Sequence, residues 1–344
     1  MTPLAGHPDQ LSGVRLVELA DGPGRGVRLL EFRTSAGLAF EVVVDRAFDI
    51  GMASIRGRGL SFTSPVGIRS PFLHQPTGME NWMRGFGGGL LATGGLDHTM
   101  GPARDDAARF AYPGMDGEVF PLHGRLTGEP ARLRGYGRTD GTLWAEGVVR
   151  QAALYGEHLE MVRRVECDDD GTEIRLTDTI TNLGAAPNPQ MSLYHANLGH
   201  PLIGPGARIH VEAEAVRACG DFALDGWRDI PEPRPGFREE VVEIRPVVRD
   251  GTARAAVVNA QADLLLLETW DAATLPYLFA WRQFAPGTYV LGLEPSSIPG
   301  TDRHGARKAD LLRVLEPAEA ITHRVAFRAV EGTDAVARAL EDRP

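Results

Sequence analysis

Cysteine and lysine are almost missing from this 344-residue chain, which has two cysteines, Cys167 and Cys219, and a single lysine, Lys308, beside 35 arginines. Two cysteines far apart, with no CxxC pair, exclude a disulfide framework and a zinc ribbon. The arginines are spread along the whole chain, so they mark no site and read as a coding habit. No basic cluster stands out among 36 basic and 46 acidic residues, a net charge of −10. That excludes the electrostatic footprint of a nucleic-acid binder or of a protein held on an anionic membrane. Long apolar runs are absent too: stretches such as Leu264–Leu267 fall far short of the ~18 residues that span a bilayer. The first residues, MTPLAGHPDQLSG, lack the charged and apolar regions of a secretory signal. The expectation is a soluble, cytoplasmic protein. Among ten histidines there is no HxH or HExxH, and neither GK[ST] nor GxSxG occurs, so no dedicated metal site, phosphate loop or nucleophile elbow is expected.

What is abundant is punctuation. Glycine (41) and proline (24) make up close to a fifth of the chain, above ordinary usage but below the level of disordered sequences. Between them the dominant hydrophobic period is two. Segments 27–33, 38–44, 143–150, 158–166, 172–181, 208–216, 239–248, 253–259, 263–269, 277–284, 288–294 and 321–329 all read as strands. Helix is scarce, with 333–341 the one clear segment. More than ten strands without strand–helix–strand units predict an all-β protein, a large antiparallel β-sandwich. With no composition break and no fixed repeat, residues 1–344 read as a single domain. Two stretches break the rhythm. Residues 80–102 carry seven glycines with aromatics between them, which predicts a functional loop or a series of close backbone approaches. Residues 219–238 read as an irregular surface loop.

Three segments hold side chains with chemistry. In PLHGR, an extended backbone would put His123 and Arg125 on one face, suited to hydroxyls or an anionic group. In QMSLYHANLGHP, His195 shares a strand face with Met191 and Leu193, and Asn197 continues it, as at a pocket floor. In YLFAWRQFAPGTYVLGLEPSS, Trp281 and Gln283 share a face with Phe279. Glu294 falls on the face where Gly292 leaves room, and Pro295 keeps it extended. Arg46 and Asp49 follow a buried-looking strand and either line the same cavity or form an ion pair. His98 and Asp97 are within reach of a ligand in the glycine-rich loop. Asp178 sits on the apolar parity of its strand and needs a buried partner.

Taken together, DRAFDIG (45–51), ENWMRGFGGGLLATGGL (80–96), PLHGR, SLYHANLG, FAWRQF and LGLEPSS resemble the galactose mutarotase-like superfamily. They are most similar to a divergent bacterial aldose 1-epimerase-like branch that includes a deoxyribose mutarotase group. The resemblance implies a β-supersandwich and a cofactor-free, metal-free reaction on a small-molecule carbohydrate. In such enzymes a glutamate takes the proton of the C1 hydroxyl while a histidine protonates the ring oxygen. By motif, Glu294 is the base, His195 the acid and His123 a second histidine holding substrate. Arg125, Arg46, Asn197, Trp281 and Gln283 are expected to bind it. An acid–base pair of this kind is expected to flank a sugar-sized cavity, with the His195 ring and the Glu294 carboxylate ~5–8 Å apart. Here Tyr194 precedes the histidine and Ala196-Asn197 follow, and the family's separate substrate-holding aspartate has no match, so the sugar stays open. A carbohydrate lyase, hydratase or isomerase on the same scaffold, or a non-catalytic sugar-binding protein, are the alternatives. A homodimer is the oligomeric expectation.

Overall fold

The computed structural model describes residues 4–73, 79–106 and 117–341. Its named strand ladders are all antiparallel, and helix is confined to short pieces: α1 (Glu80–Gly85), α2 (Arg303–Lys308) and α3 (Thr333–Glu341). The last is the helix expected over 333–341. Among the described residues, no helix is long and apolar enough to cross a membrane.

Two large sheets make the body. The first has eight strands, in the spatial order Arg132–Thr139, Thr142–Ala152, His158–Asp168, Glu173–Asn182, Ala320–Glu331, Leu264–Asp271, Thr252–Asn259 and Arg208–His210. The second has six: β1 (Leu91–Gly94), β2 (Leu193–Leu198), β3 (Ala213–Ala218), β4 (Glu240–Pro246), β5 (Tyr277–Ala285) and β6 (Thr288–Ser296), arranged β3-β4-β5-β6-β2-β1. A five-stranded sheet from the first sixty residues packs on the same core.

Alternation decides which face is buried. In His158–Asp168 and Glu173–Asn182 every second residue is buried, so Met161, Val165, Ile174, Leu176 and Ile180 join the core. From the six-stranded sheet, Leu278, Ala280, Phe284, Leu291 and Leu293 meet them. Arg163 and Asp178 fall on the same inward parity, which would be prohibitive for isolated charges. Arg163 sits between Asp178 (2.5 Å) and Asp49 (2.6 Å), all three fully buried, and Tyr194 donates its hydroxyl to Asp178 at 2.6 Å. Asp178 thus has the buried partner its parity demanded. Asp49 pairs with Arg163 and Thr93, not with Arg46 and not with a cavity.

Two local expectations are corrected. Segment 208–216 is two strands in different sheets, broken at Val211–Glu212. Arg132–Thr139 is an unforeseen edge strand, its glycine-rich sequence masking the alternation: Gly135 and Gly137 lie against the Trp144 ring, and a side chain at Gly135 would crowd it.

Candidate functional site

Alternation also sends the opposite residues of the six-stranded sheet outward. The register pairs Leu193 with Ser296 and Ala196 with Leu293, so His195 on β2 stands directly across from Glu294 on β6, with Phe279 of β5 beyond it. One row along come Asn197, Gly292 and Trp281. His195, Glu294, Phe279, Trp281, Gln283, Val241 and Val290 floor a cavity of about 660 Å³. Its other walls come from segments laid over the sheet, notably Trp82 and Phe86 around α1, Met100 and His123.

His195 Nε2 lies 3.3 Å from Glu294 Oε1. The pair is therefore in direct contact, not ~5–8 Å apart as expected of an acid–base pair across a cavity. The reason is topological: the two groups are cross-strand neighbours in one sheet, not residues on facing walls. Both are only 4 % exposed. Burial lowers the His195 pKa to about 4, partly opposed by the nearby Asn197 side chain and the backbone carbonyl of His195. Burial, reinforced by Glu239, pushes Glu294 well above the usual carboxylate range. Burial thus favours the neutral form of both groups. Gly292 makes room for this carboxylate, because a Cβ there would meet Glu294 Oε1 and come within 3.0 Å of Trp281 Cβ.

Aromatic rings enclose the histidine. Their centroids lie 5.3 Å (Trp281), 5.8 Å (Phe86) and 6.1 Å (Trp82) away, with the His123 ring at 5.4 Å. Trp82 and Phe86 stack at 4.5 Å, as i, i+4 positions at the end of a helix allow. The glycine-rich segment 80–102 thus supplies cavity walls as well as close backbone approaches. Its aromatics were visible in the sequence, but the short helix that aims them was not. Trp281 Nε1 donates to Glu239 Oε2 at 3.0 Å, and Gln283 accepts from the Ala285 amide at 3.2 Å. His123 lies in the wall, its pKa lowered by burial and then by the neighbouring His195 and His98.

The remaining expected contacts lie elsewhere. PLHGR is not extended: His123 (φ 55°) and Gly124 (φ 79°) turn the chain, and a Cβ at Gly124 would collide with the carbonyls of His98 and Gly95. That turn separates the two residues expected to share a face. Arg125 points away from the cavity into three buried carboxylates, Glu118 (3.1 Å), Asp97 (3.7 Å) and Glu157 (3.8 Å). These carboxylates lie within 4.8 Å of one another in a metal-like cluster. Arg125 and Gln151, which donates to Asp97 at 2.6 Å, supply the positive side that a cation would. Arg46 donates to the carbonyls of Gly88 (2.9 Å) and Leu91 (3.3 Å), bracing the glycine-rich strand. Asn197 is fully buried and outside the cavity lining, and His98 bonds the Gly101 carbonyl.

This antiparallel β-supersandwich is the galactose mutarotase-like fold. A protein of Klebsiella pneumoniae subsp. pneumoniae, named as a candidate aldose 1-epimerase, superposes with a TM-score of 0.86 at 22% identity, covering 97% of this chain and 89% of its own. A galactose mutarotase-like protein of Clostridium acetobutylicum gives 0.65 at 13% identity, over 93% and 99%. The galactose 1-epimerase of Lactobacillus acidophilus gives 0.58 at 12%, over 93% and 99%. Among curated proteins none matches. The chain belongs to the family described as Domain of unknown function (DUF4432), whose model matches residues 24–329.

Proposed function

We propose that the protein interconverts the anomers of a sugar, as a mutarotase that works by acid–base ring opening with His195 and Glu294. The observation that carries this reading is their 3.3 Å contact on the floor of an aromatic-walled cavity. Anomer exchange needs one proton removed from the C1 hydroxyl and one delivered to the ring oxygen. Those oxygens are bonded to the same carbon, so two adjacent groups on one wall can reach both. A neutral Glu294–His195 pair gives its carboxyl proton to the ring oxygen while the imidazole takes the hydroxyl proton. The ring opens, leaving carboxylate and imidazolium. Rotation of the aldehyde and closure on its other face return both protons and yield the second anomer. The alternative charge form, carboxylate beside imidazolium, runs the same cycle with the roles exchanged. Neither form calls for a metal or cofactor, because a hemiacetal opens with acid–base help alone.

Trp281, Trp82 and Phe86 offer apolar faces, and Gln283 and His123 offer polar edges, the mixture that orients a small polyol. The test is anomer exchange by NMR across a panel of neutral aldoses in D2O. The reading predicts accelerated exchange with no deuterium on carbon. Deuterium incorporated at carbon would favour a lyase or isomerase, and binding without acceleration would favour a sugar-binding protein. Either outcome overturns this one.

A further inference from the structure

Segment 219–238, expected to be an irregular surface loop, walls a second cavity of about 490 Å³ where β3 ends and β4 begins. Cys219, Glu239 and Val241 line both this cavity and the one above His195, so the two meet. The register sets their separation. A row of outward positions runs from Gly292 on β6 through Trp281 on β5 to Val241 on β4. The Cys219 amide then donates to the Val241 carbonyl at 2.8 Å. With strands ~4.8 Å apart, Val241 stands two spacings, ~10 Å, from the strand that carries Glu294. A pyranose ring covers about one such spacing. With its C1 at Glu294, the ring ends over Trp281, and whatever is joined to its far side lies over Val241 and Cys219, at the mouth of the second cavity.

That cavity has a lining suited to a sugar. Phe222 and Phe237 give it apolar surface, with the Arg234 guanidinium 5.1 Å from the Phe237 ring. Asp221 and Arg238 are exposed and, among the described residues, make no ion pair or side-chain hydrogen bond with the protein. Glu240 is paired with Arg282. Asp221 and Glu239 therefore face Arg234 and Arg238, a balance of charge that gives an ion no field to follow. It suits hydroxyls, which both donate and accept.

We propose that the second cavity is a subsite for a further neutral sugar unit, so that the substrate is a reducing disaccharide or longer oligosaccharide with its reducing end at His195 and Glu294. The inference rests on the reading of that pair as the place where the anomeric carbon lies. Anomer exchange alters bonds at C1 alone. A unit linked through the opposite side of the ring therefore stays seated while the reducing end opens and closes.

The test compares reducing disaccharides with the monosaccharide at their own reducing end: maltose, cellobiose and lactose with glucose, galactobiose with galactose, mannobiose with mannose and xylobiose with xylose. Ligand-observed NMR titration reads the affinities without turnover. One or two added hydrogen bonds and a covered ring predict that at least one disaccharide binds about tenfold more tightly than its monosaccharide. Asp221→Ala combined with Arg238→Ala, both at exposed positions, should cut that advantage to about twofold. Disaccharides that bind no more tightly than their monosaccharides in every pair would overturn the proposal. So would an advantage that the double variant leaves intact. Tighter disaccharide binding without anomer exchange would remove the mutarotase reading and leave the subsite standing. Exchange confined to monosaccharides would do the reverse.

Discussion

Three buried histidines, His98, His195 and His323, are kept neutral by burial, and His323 isolates the consequence most cleanly. It is fully buried between the sheets, near Tyr194 and Gln190, and its pKa falls to about 4. The ordinary value is ~6.5 in an unfolded chain, so between pH 6.5 and 4 the unfolded state binds a proton that the folded state refuses. Stability from keeping this ring neutral is complete above pH 6.5. It is lost as the pH falls towards 4, at about 1.4 kcal/mol per pH unit. A His323→Gln variant lacks this term. Denaturant titrations of both proteins from pH 8 to 4 should show the wild type losing ground to the variant only below about pH 6.5. A constant difference would contradict the assignment. Glu294 belongs to the same scale with the opposite sign, its carboxyl held protonated where a solvated glutamate would ionise.

At the scale of the element, β2 serves two faces at once. Tyr194 points inward to Asp178 and the Arg163 network, and His195 points outward to Glu294. The buried ions therefore hold the strand that presents His195. Arg163→Leu would leave Asp49 and Asp178 buried without their cation, so the expected cost is about 3–5 kcal/mol. Equilibrium denaturation checks it; a loss below 1 kcal/mol would mean the network is not an anchor. Alternation also explains how much of the molecule was legible in advance. Long strands with buried alternate residues, such as His158–Asp168, Glu173–Asn182 and Ala320–Glu331, could be read, and so could the outward placement of Glu294 beside Gly292 and the inward placement of Asp178. What could not be read was non-local. Arg125 looked like a ligand contact until the turn at His123–Gly124 sent it into the acidic cluster. Arg46 found backbone carbonyls 42 and 45 residues away. Asn197 had the right parity but closes on its own strand. Trp82 and Phe86 lay in a segment whose glycines hid a helix of six residues.

On the scale of the whole molecule, the two large sheets divide the work. Their facing sides build the apolar core, and the outer face of the smaller sheet is left to chemistry, with the glycine-rich segment folded over it. This division explains why a chain sharing only 22% of its residues with the Klebsiella protein keeps almost the same backbone. The core requires apolar alternation, whereas the site depends on a few residues in register. The account's central claim is that the His195–Glu294 pair opens the sugar ring. Its most direct test is two-dimensional exchange NMR between the α and β anomers of whichever neutral aldose the protein exchanges fastest, comparing wild type with Glu294→Gln. The pair's role predicts a fall of at least ~100-fold in the exchange rate, the scale of lost general acid–base catalysis, with sugar affinity changed by only a few fold. A Glu294→Gln protein that exchanges anomers at the wild-type rate would contradict it.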